Sequence, residues 1–239
     1  MIFLFFLVSY TVRADSSIYI EPYTYLYDNV ELIIDTVTVT SDRALVTEDS
    51  VRVWSNLRIE KEDLVIYGGL GRYFFDRIYY IENGIEAENG KDTLTAGEGV
   101  LYEERDEAYA RDSLVVRGRG KSIKGNEGFY NFEKREGVVW SNVLFKSEKD
   151  TIELACDTLR VYGDTLVVAR GNTLTKGRFK VYSDTLRYYM DKDLLMFFGR
   201  PVVVTDKDSL SGDYIEMMIN EGEIIELRAK GNVRGSRRE

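Results

Sequence analysis

The chain has 239 residues, 44% hydrophobic and 31% charged, enough for one large core or two small ones and too polar for a bundle of membrane-spanning helices. Its 41 acidic residues against 32 basic ones leave a formal charge of -9, so phosphate backbones are repelled and nucleic acid is not an expected partner. With no histidine and a single cysteine, Cys156, the chain lacks the commonest general base, the commonest transition-metal ligand and any intrachain disulfide. Paired carboxylates for glycoside hydrolysis remain conceivable, but the acidic residues are spread evenly over turn positions, so no enzyme activity, metal or cofactor is expected.

The chain opens MIFLFFLVSYTVRADSS. Residues 2–8 form an apolar run, and Val12, Arg13 and Ala14 follow it as a small-residue cleavage signature before Asp15. Residues 1–14 therefore read as a short secretory signal, with a buried first strand as the alternative; the run is far shorter than the ~20 residues a spanning helix needs. Residues 15–233 read as one domain and 234–239, RGSRRE, as a solvated basic tail.

A repeat runs through that domain. The two tryptophans sit in matching contexts, VRVWSNL and GVVWSNV, with Trp54 and Trp140 86 residues apart, or three units of about 29. A small residue recurs at Gly69, Gly97, Gly125, Cys156, Ser183 and Gly212, and a large apolar residue stands five positions after each, from Phe74 to Met217. In the later copies Asn126, Asp157, Asp184 and Asp213 directly follow the small one. A further marker closes several units: Ser55 with Asn56, Ser141 with Asn142, Gly171 with Asn172, Gly199 with Arg200 and Gly231 with Asn232. These read as turns, because Gly and Asn accept positive φ.

Within each unit the period is two. In SDTLRYYMDKDLLMFFGRP, Leu186, Tyr188 and Met190 alternate with polar or aromatic neighbours, MDKD turns the chain, and Leu195 and Phe197 alternate again. Alternation bounded by such turns, rich in Val, Ile, Tyr, Phe and Thr, predicts half-buried strands of about five to seven residues, and helical spacing is not sustained anywhere. The chain is therefore expected to be all-β, with about 12 or more strands from roughly six hairpin units. Asp-Thr-Leu and Asp-Ser-Leu recur at Asp92, Asp112, Asp157, Asp164, Asp184 and Asp208; single carboxylates of this kind start strands more often than they bind calcium.

These residues carry a resemblance. LSGDYIEMMINEGEIIELRAKGNV, with its weaker copies VYSDTLRYYMDKDLLMFFGRPVV and LACDTLRVYGDTLVVARGNT, resembles the repeat of the OstA-like (organic-solvent-tolerance-like) family of lipopolysaccharide transport proteins. The match is best over residues 151–233 and fades toward the N-terminus, where Leu70 and Glu98 stand in place of the Asp. The resemblance implies a β-jellyroll of V-shaped antiparallel strands in the periplasm, or associated with the outer membrane. Its trough would accept lipopolysaccharide or a similar lipid, and its copies or other OstA-like proteins would join head to tail by edge strands.

By alternation the expected lining is Leu159, Val161, Leu166, Val168, Leu186, Tyr188, Leu195, Phe197, Val202, Val204, Ile215 and Met217. Ile224, Ile225 and Leu227 are the expected contacts of a C-terminal edge, and the stretch from Val30 to Val39 that of the complementary edge. The sequence is long for the small soluble bridge protein of that family and carries no stretch like the barrel of its large translocon, so it reads either as an enlarged bridge protein or as a fragment of a larger one. Two other architectures fit the alternation: a ligand-free β-solenoid of a surface or adhesion protein, and a small outer-membrane β-barrel, which needs longer strands with a clean lipid-facing side.

Overall fold

The computed structural model describes residues 10–75, 77–90 and 92–237, and it is almost wholly antiparallel β-sheet, as the alternation predicts. The exception is one 3-10 turn, Glu103–Arg105. No helix among the described residues is long and apolar enough to cross a membrane. In place of one domain there are two compact units, residues 1–112 and 113–239.

The first unit contains β1 (Tyr10–Arg13), β2 (Ser16–Ile20), β3 (Tyr23–Ile34), β4 (Val37–Val46), β5 (Ser50–Lys61), β6 (Leu64–Phe74), β7 (Ile78–Asn89), β8 (Asp92–Ala96) and β9 (Glu98–Tyr102). The boundary falls inside β10 (Glu107–Gly118). The second unit continues with β11 (Lys121–Asn131), β12 (Glu136–Ser147), β13 (Ile152–Tyr162), β14 (Leu166–Lys176) and β15 (Phe179–Tyr189). It ends with β16 (Leu194–Phe198), β17 (Val202–Val204), β18 (Asp208–Ser211), β19 (Tyr214–Asn220), β20 (Glu223–Lys230) and β21 (Arg234–Arg237). The expected solvated tail is thus a strand up to Arg237: Arg234 to Arg237 pair with Ser211 to Asp208, with every side chain exposed. The first nine residues of the expected signal lie outside the described residues, while Tyr10 to Arg13 pair with Ile34 to Glu31 and Val12 and Ala14 pack on the core.

Strands follow one another as an antiparallel meander, and most run 10 to 12 residues, longer than the alternation suggested. The reason is that Ser55-Asn56, Ser141-Asn142 and Gly171-Asn172 bend strands in their middles and do not end them, whereas Gly199-Arg200 separates β16 from β17 and Gly231-Asn232 separates β20 from β21. Ser55 and Asn56 have φ of 65 and 55°, Ser141 and Asn142 66 and 58°, Gly199 and Arg200 84 and 56°. At the two Ser-Asn sites the ladder slips, so that in β5 Ser55 and Asn56 together face Gly69, and in β12 Ser141 and Asn142 face Asp157. Such a bulge turns the strand without breaking it.

The small-plus-Asp marker is the other half of this device. It stands on the neighbouring strand opposite the bend: Asn56 Nδ2 donates to Asp42 Oδ2 at 2.8 Å, Asn29 Nδ2 to Asp15 Oδ2 at 2.7 Å, and Asn232 Nδ2 to Asp213 Oδ1 at 3.0 Å. At Gly171 (φ 60°) and Gly231 (φ 66°) a Cβ would run into the carboxylates of Asp157 and Asp213. Positive φ alone favours glycine there, and the carboxylate excludes a side chain.

Each of the 10- to 12-residue strands therefore contributes to two arms on either side of the bend, the shorter strands to one, and within each unit the arms pack face to face. In the first unit, Val30, Leu32, Val39 and Ile59 of one arm share a single buried cluster with Ala44, Val53, Tyr79 and Ile81 of the other. At about 25 cal/mol per Å² of apolar area removed from water, this layer is what holds the sheet folded on itself.

Candidate functional site

The interior between the arms is the site the sequence points to. In the second unit, Leu159, Leu186, Leu195, Phe197, Ile215 and Met217 are all at 0% exposure and Tyr188 at 3%, so these expected lining residues do face inward and meet one another. Val161 belongs to the same face, opposite Val167 at the end of its arm, and is half-buried.

Four expected lining residues are corrected. Directly opposed residues of antiparallel strands share a face. Leu166 lies opposite Tyr162 and Tyr189, Val168 opposite Arg160 and Arg187, Val202 opposite Tyr182, and Val204 opposite Lys180: all four are half-buried on the outer face. The inward positions are Val167 (1%), Ala169 (0%) and Val203 (2%). The turn at 163–165 sets Val161 opposite Val167, so counting Leu166 as the partner of Val161 misphases β14; beyond Gly171 the inward parity changes and the series continues as Asn172, Leu174 and Lys176.

That series ends on a buried lysine, which the sequence reading missed. Its signal was visible: Lys176 is a cation on the apolar parity of a strand. The ammonium lies at the tip of one arm of the second unit, 4% exposed. It donates to Gly222 O (2.8 Å) in the turn at the tip of the other arm, to Thr151 Oγ1 (3.1 Å) and to the carbonyl of Asp150. Three donors thus meet three acceptors. Beside it, Asp150 (3% exposed) accepts from Ser147 Oγ at 2.7 Å and from the Tyr188 hydroxyl, which reaches across from the opposite arm, at 2.9 Å. Burial lowers the Lys176 pKa against the pull of Asp150 and Glu223, and burial, then the bond to Asp150, raises that of Tyr188. Lys121 Nζ on Met190 Sδ, 3.1 Å, makes a further contact between the tips. The mouth of the second unit is latched by a satisfied, buried polar network, and its interior is filled by its own side chains.

The first unit is closed by different means. Lys61 pairs with Glu103 at 2.9 Å, Arg77 with Asp35 at 3.2 Å, and Tyr10 stacks on Phe75 with centroids 5.2 Å apart. The Arg77 and Asp35 side chains are 42% and 52% exposed, where an ion pair contributes at most about 1 kcal/mol. Behind them lie two voids of about 10 and 20 Å³, lined by residues such as Ile34, Val53, Tyr73, Leu64 and Leu101, each with room for about one water.

Both ends of the meander are free edges among the described residues. β20 pairs with β19 alone, so Ile224, opposite Ile219, and Leu227, opposite Met217, cover the end of the interior, while Ile225, 59% exposed, is the extra residue of a bulge. The complementary edge is corrected: Val30 and Val39 belong to β3 and β4, each paired on both sides, and β1 and β2 are the edge strands. Among the described residues the first and last strands pair only inward, so these strands do not close into a barrel.

The class of protein this defines is an open, antiparallel all-β meander folded along a line of mid-strand bends. No protein-family profile and no characterised protein sequence matches the chain. Among solved structures it is similar to LptH of Pseudomonas aeruginosa, described as the LptA-homologous periplasmic component of the conserved lipopolysaccharide transport device. The TM-score is 0.39 at 12% identity, over 48% of this chain and 93% of LptH.

Proposed function

We propose that the chain is a non-catalytic lipid-handling protein of the periplasm, which carries or scaffolds the acyl part of lipopolysaccharide or a related lipid between its arms, and which joins like proteins through its edge strands. The observation that carries this reading is an apolar interior, continuous along the strands, whose two walls are joined at the mouth of each unit by a handful of side chains. An acyl chain needs no hydrogen-bond code, only apolar wall, and each buried methylene contributes about 0.8 kcal/mol. The repeat resemblance points to the same ligand class.

The test is photocrosslinking of the purified chain to lipopolysaccharide, with the crosslinker at Phe197 on the inner wall and at Lys180 on the outer face of the other arm. Adducts at Phe197 and none at Lys180 are expected. A second reading is favoured by the complete burial of Leu159, Leu186, Leu195, Phe197, Ile215 and Met217: a ligand-free structural repeat whose core stays shut. Absence of adduct at Phe197 at saturating lipopolysaccharide selects that reading.

A further inference from the structure

The outer faces of the two arms differ in the same way in both units. In the first unit one arm shows Thr40, Arg58, Tyr67 and Glu86 in one cross-strand row, and Arg58 pairs with Glu60. The other arm shows Tyr25, Leu45, Arg52, Arg72 and Tyr80 in a row, beside Arg43 and Trp54 in the next. The second unit repeats this: one arm carries Lys146 paired with Glu153, while the other carries Arg160, Val168 and Arg187 in a row, with Arg170 diagonal to them.

Six arginines, Arg43, Arg52, Arg72, Arg160, Arg170 and Arg187, therefore form two clusters of three, one on each unit. Among the described residues none of the six forms an ion pair, whereas Arg13, Arg58, Arg77, Arg111, Arg135 and Arg228 all do. Arg52 and Arg72 lie directly opposite each other across the ladder, a placement that destabilises a sheet unless an anion lies between or above them. In each cluster one guanidinium is laid over a ring, Arg72 over Phe74 at 5.6 Å and Arg187 over Phe198 at 5.5 Å. Nearby carboxylates have other partners or belong to the bends: Asp49 is hydrogen-bonded by Thr47 and Ser50 and only secondarily feels the charge of Arg72, Glu216 is hydrogen-bonded by Lys230, and Asp157 and Asp184 face Gly171 and Gly199; Glu82 is exposed one row away.

We propose that the arginine-bearing outer face of each unit docks on an anionic lipid bilayer, its guanidiniums on headgroup phosphates and its Tyr, Trp and Phe side chains at the interface. Arginine forks match phosphate oxygens, and amphipathic rings favour the boundary between headgroup and acyl chain. A polyanion in free solution would be repelled by the chain's charge of -9, whereas a bilayer presents a flat array of phosphates to one face at a time. This face is the opposite side of the sheet from the interior, so the proposal does not depend on lipid entering between the arms.

The experiment is vesicle sedimentation of the full chain with phosphatidylcholine alone and with phosphatidylcholine containing phosphatidylglycerol. Binding is expected only with phosphatidylglycerol and is expected to fall as salt is raised. The double variants Arg52→Gln/Arg72→Gln and Arg160→Gln/Arg187→Gln should each weaken it, by about fivefold per arginine, the factor that corresponds to about 1 kcal/mol. Lys124→Gln/Lys180→Gln removes the same charge from the other arm of the second unit and should leave binding unchanged. The proposal is overturned if phosphatidylglycerol vesicles are not bound, or if the lysine variant loses as much as the arginine variants. It is equally overturned if inorganic phosphate at constant ionic strength, or a single-stranded oligonucleotide, displaces the protein from the vesicles.

Discussion

Lys176→Met tests the latch of the second unit most directly. Methionine keeps the length and most of the volume of the lysine stem but removes all three donors. Gly222 O loses its 2.8 Å partner, Thr151 Oγ1 its 3.1 Å partner, and the Asp150 carbonyl its ammonium, in a site where Lys176 is 4% and Asp150 3% exposed. Breaking a buried charged network on one side costs about 3–5 kcal/mol, because the remaining polar groups stay desolvated. Equilibrium urea unfolding of the chain, followed by Trp140 fluorescence in a Trp54→Phe background, reads the second unit alone. With a urea m-value of about 2 kcal/mol/M, the midpoint should fall by about 2 M. A fall equivalent to less than about 1 kcal/mol would refute the reasoning and mean that water replaces the ammonium at no cost. The same variant should raise photocrosslinking from Phe197 to lipopolysaccharide if the arms must part for lipid to enter.

Gly171→Ala places a methyl at φ 60° against the Asp157 carboxylate, and is expected to cost about 2–4 kcal/mol by thermal or urea unfolding. Asp157→Ala should remove part of that cost, so that the double variant is less destabilised than the sum of the two; strict additivity would refute the contact. Burial, aided by Asp157, pushes the Cys156 thiol up to about 12 from its ordinary value of 9. Folded protein should resist iodoacetamide at neutral pH and label only as it unfolds. Because an acid raised in the folded state binds its proton more tightly there, this contribution is intact below pH 9 and stability is lost as pH climbs from 9 toward 12. Phe197→Ala, emptying a fully buried site, is expected to lower stability by about 3–5 kcal/mol in urea unfolding.

The strand class was legible because alternation and turn chemistry are local properties, and Leu186, Tyr188, Leu195 and Phe197 lie where period two puts them. The two repeat markers were also legible as backbone of positive φ, but their place was not. Ser-Asn and Gly-Asn look like the end of a strand, yet Ser55-Asn56, Ser141-Asn142 and Gly171-Asn172 lie inside one, and only the pairing of Asn56 with Asp42 or of Asn232 with Asp213 shows two markers from different strands meeting at one bend. That error propagated to the site. Once Gly171 is read as a terminus, nothing in the sequence says that inward parity changes there, so the meaning of Lys176 was lost. Val168 was preferred to Val167 for a separate reason, that the turn at 163–165 sets Val161 opposite Val167 and not opposite Leu166. The arginine clusters were illegible for a related reason: Arg160 and Arg187 are 27 residues apart and become neighbours only through the register of β13, β14 and β15 with Val168 between them.

The unequal mouths of the two units lead to a last prediction. A saturated chain of about twelve methylenes gains about 10 kcal/mol on leaving water, more than the about 3–5 kcal/mol that the Lys176 latch resists with, but lipid in the second unit must also displace fully buried side chains such as Leu186, Phe197 and Met217. In the first unit the mouth is held by the exposed Arg77–Asp35 pair, the part-buried Lys61–Glu103 pair and one ring stack, and the interior behind it already contains small apolar voids beside Val53 and Leu101. Lipid should therefore enter the first unit more readily. Photocrosslinkers at Val53 and at Phe197, compared at equal subsaturating lipopolysaccharide, should give the stronger adduct at Val53. Arg77→Gln, which costs the first unit no more than about 1 kcal/mol, should strengthen it further. A stronger adduct at Phe197, or an Arg77→Gln variant indistinguishable from the unaltered chain at Val53, would show that the strength of the polar closure does not govern entry.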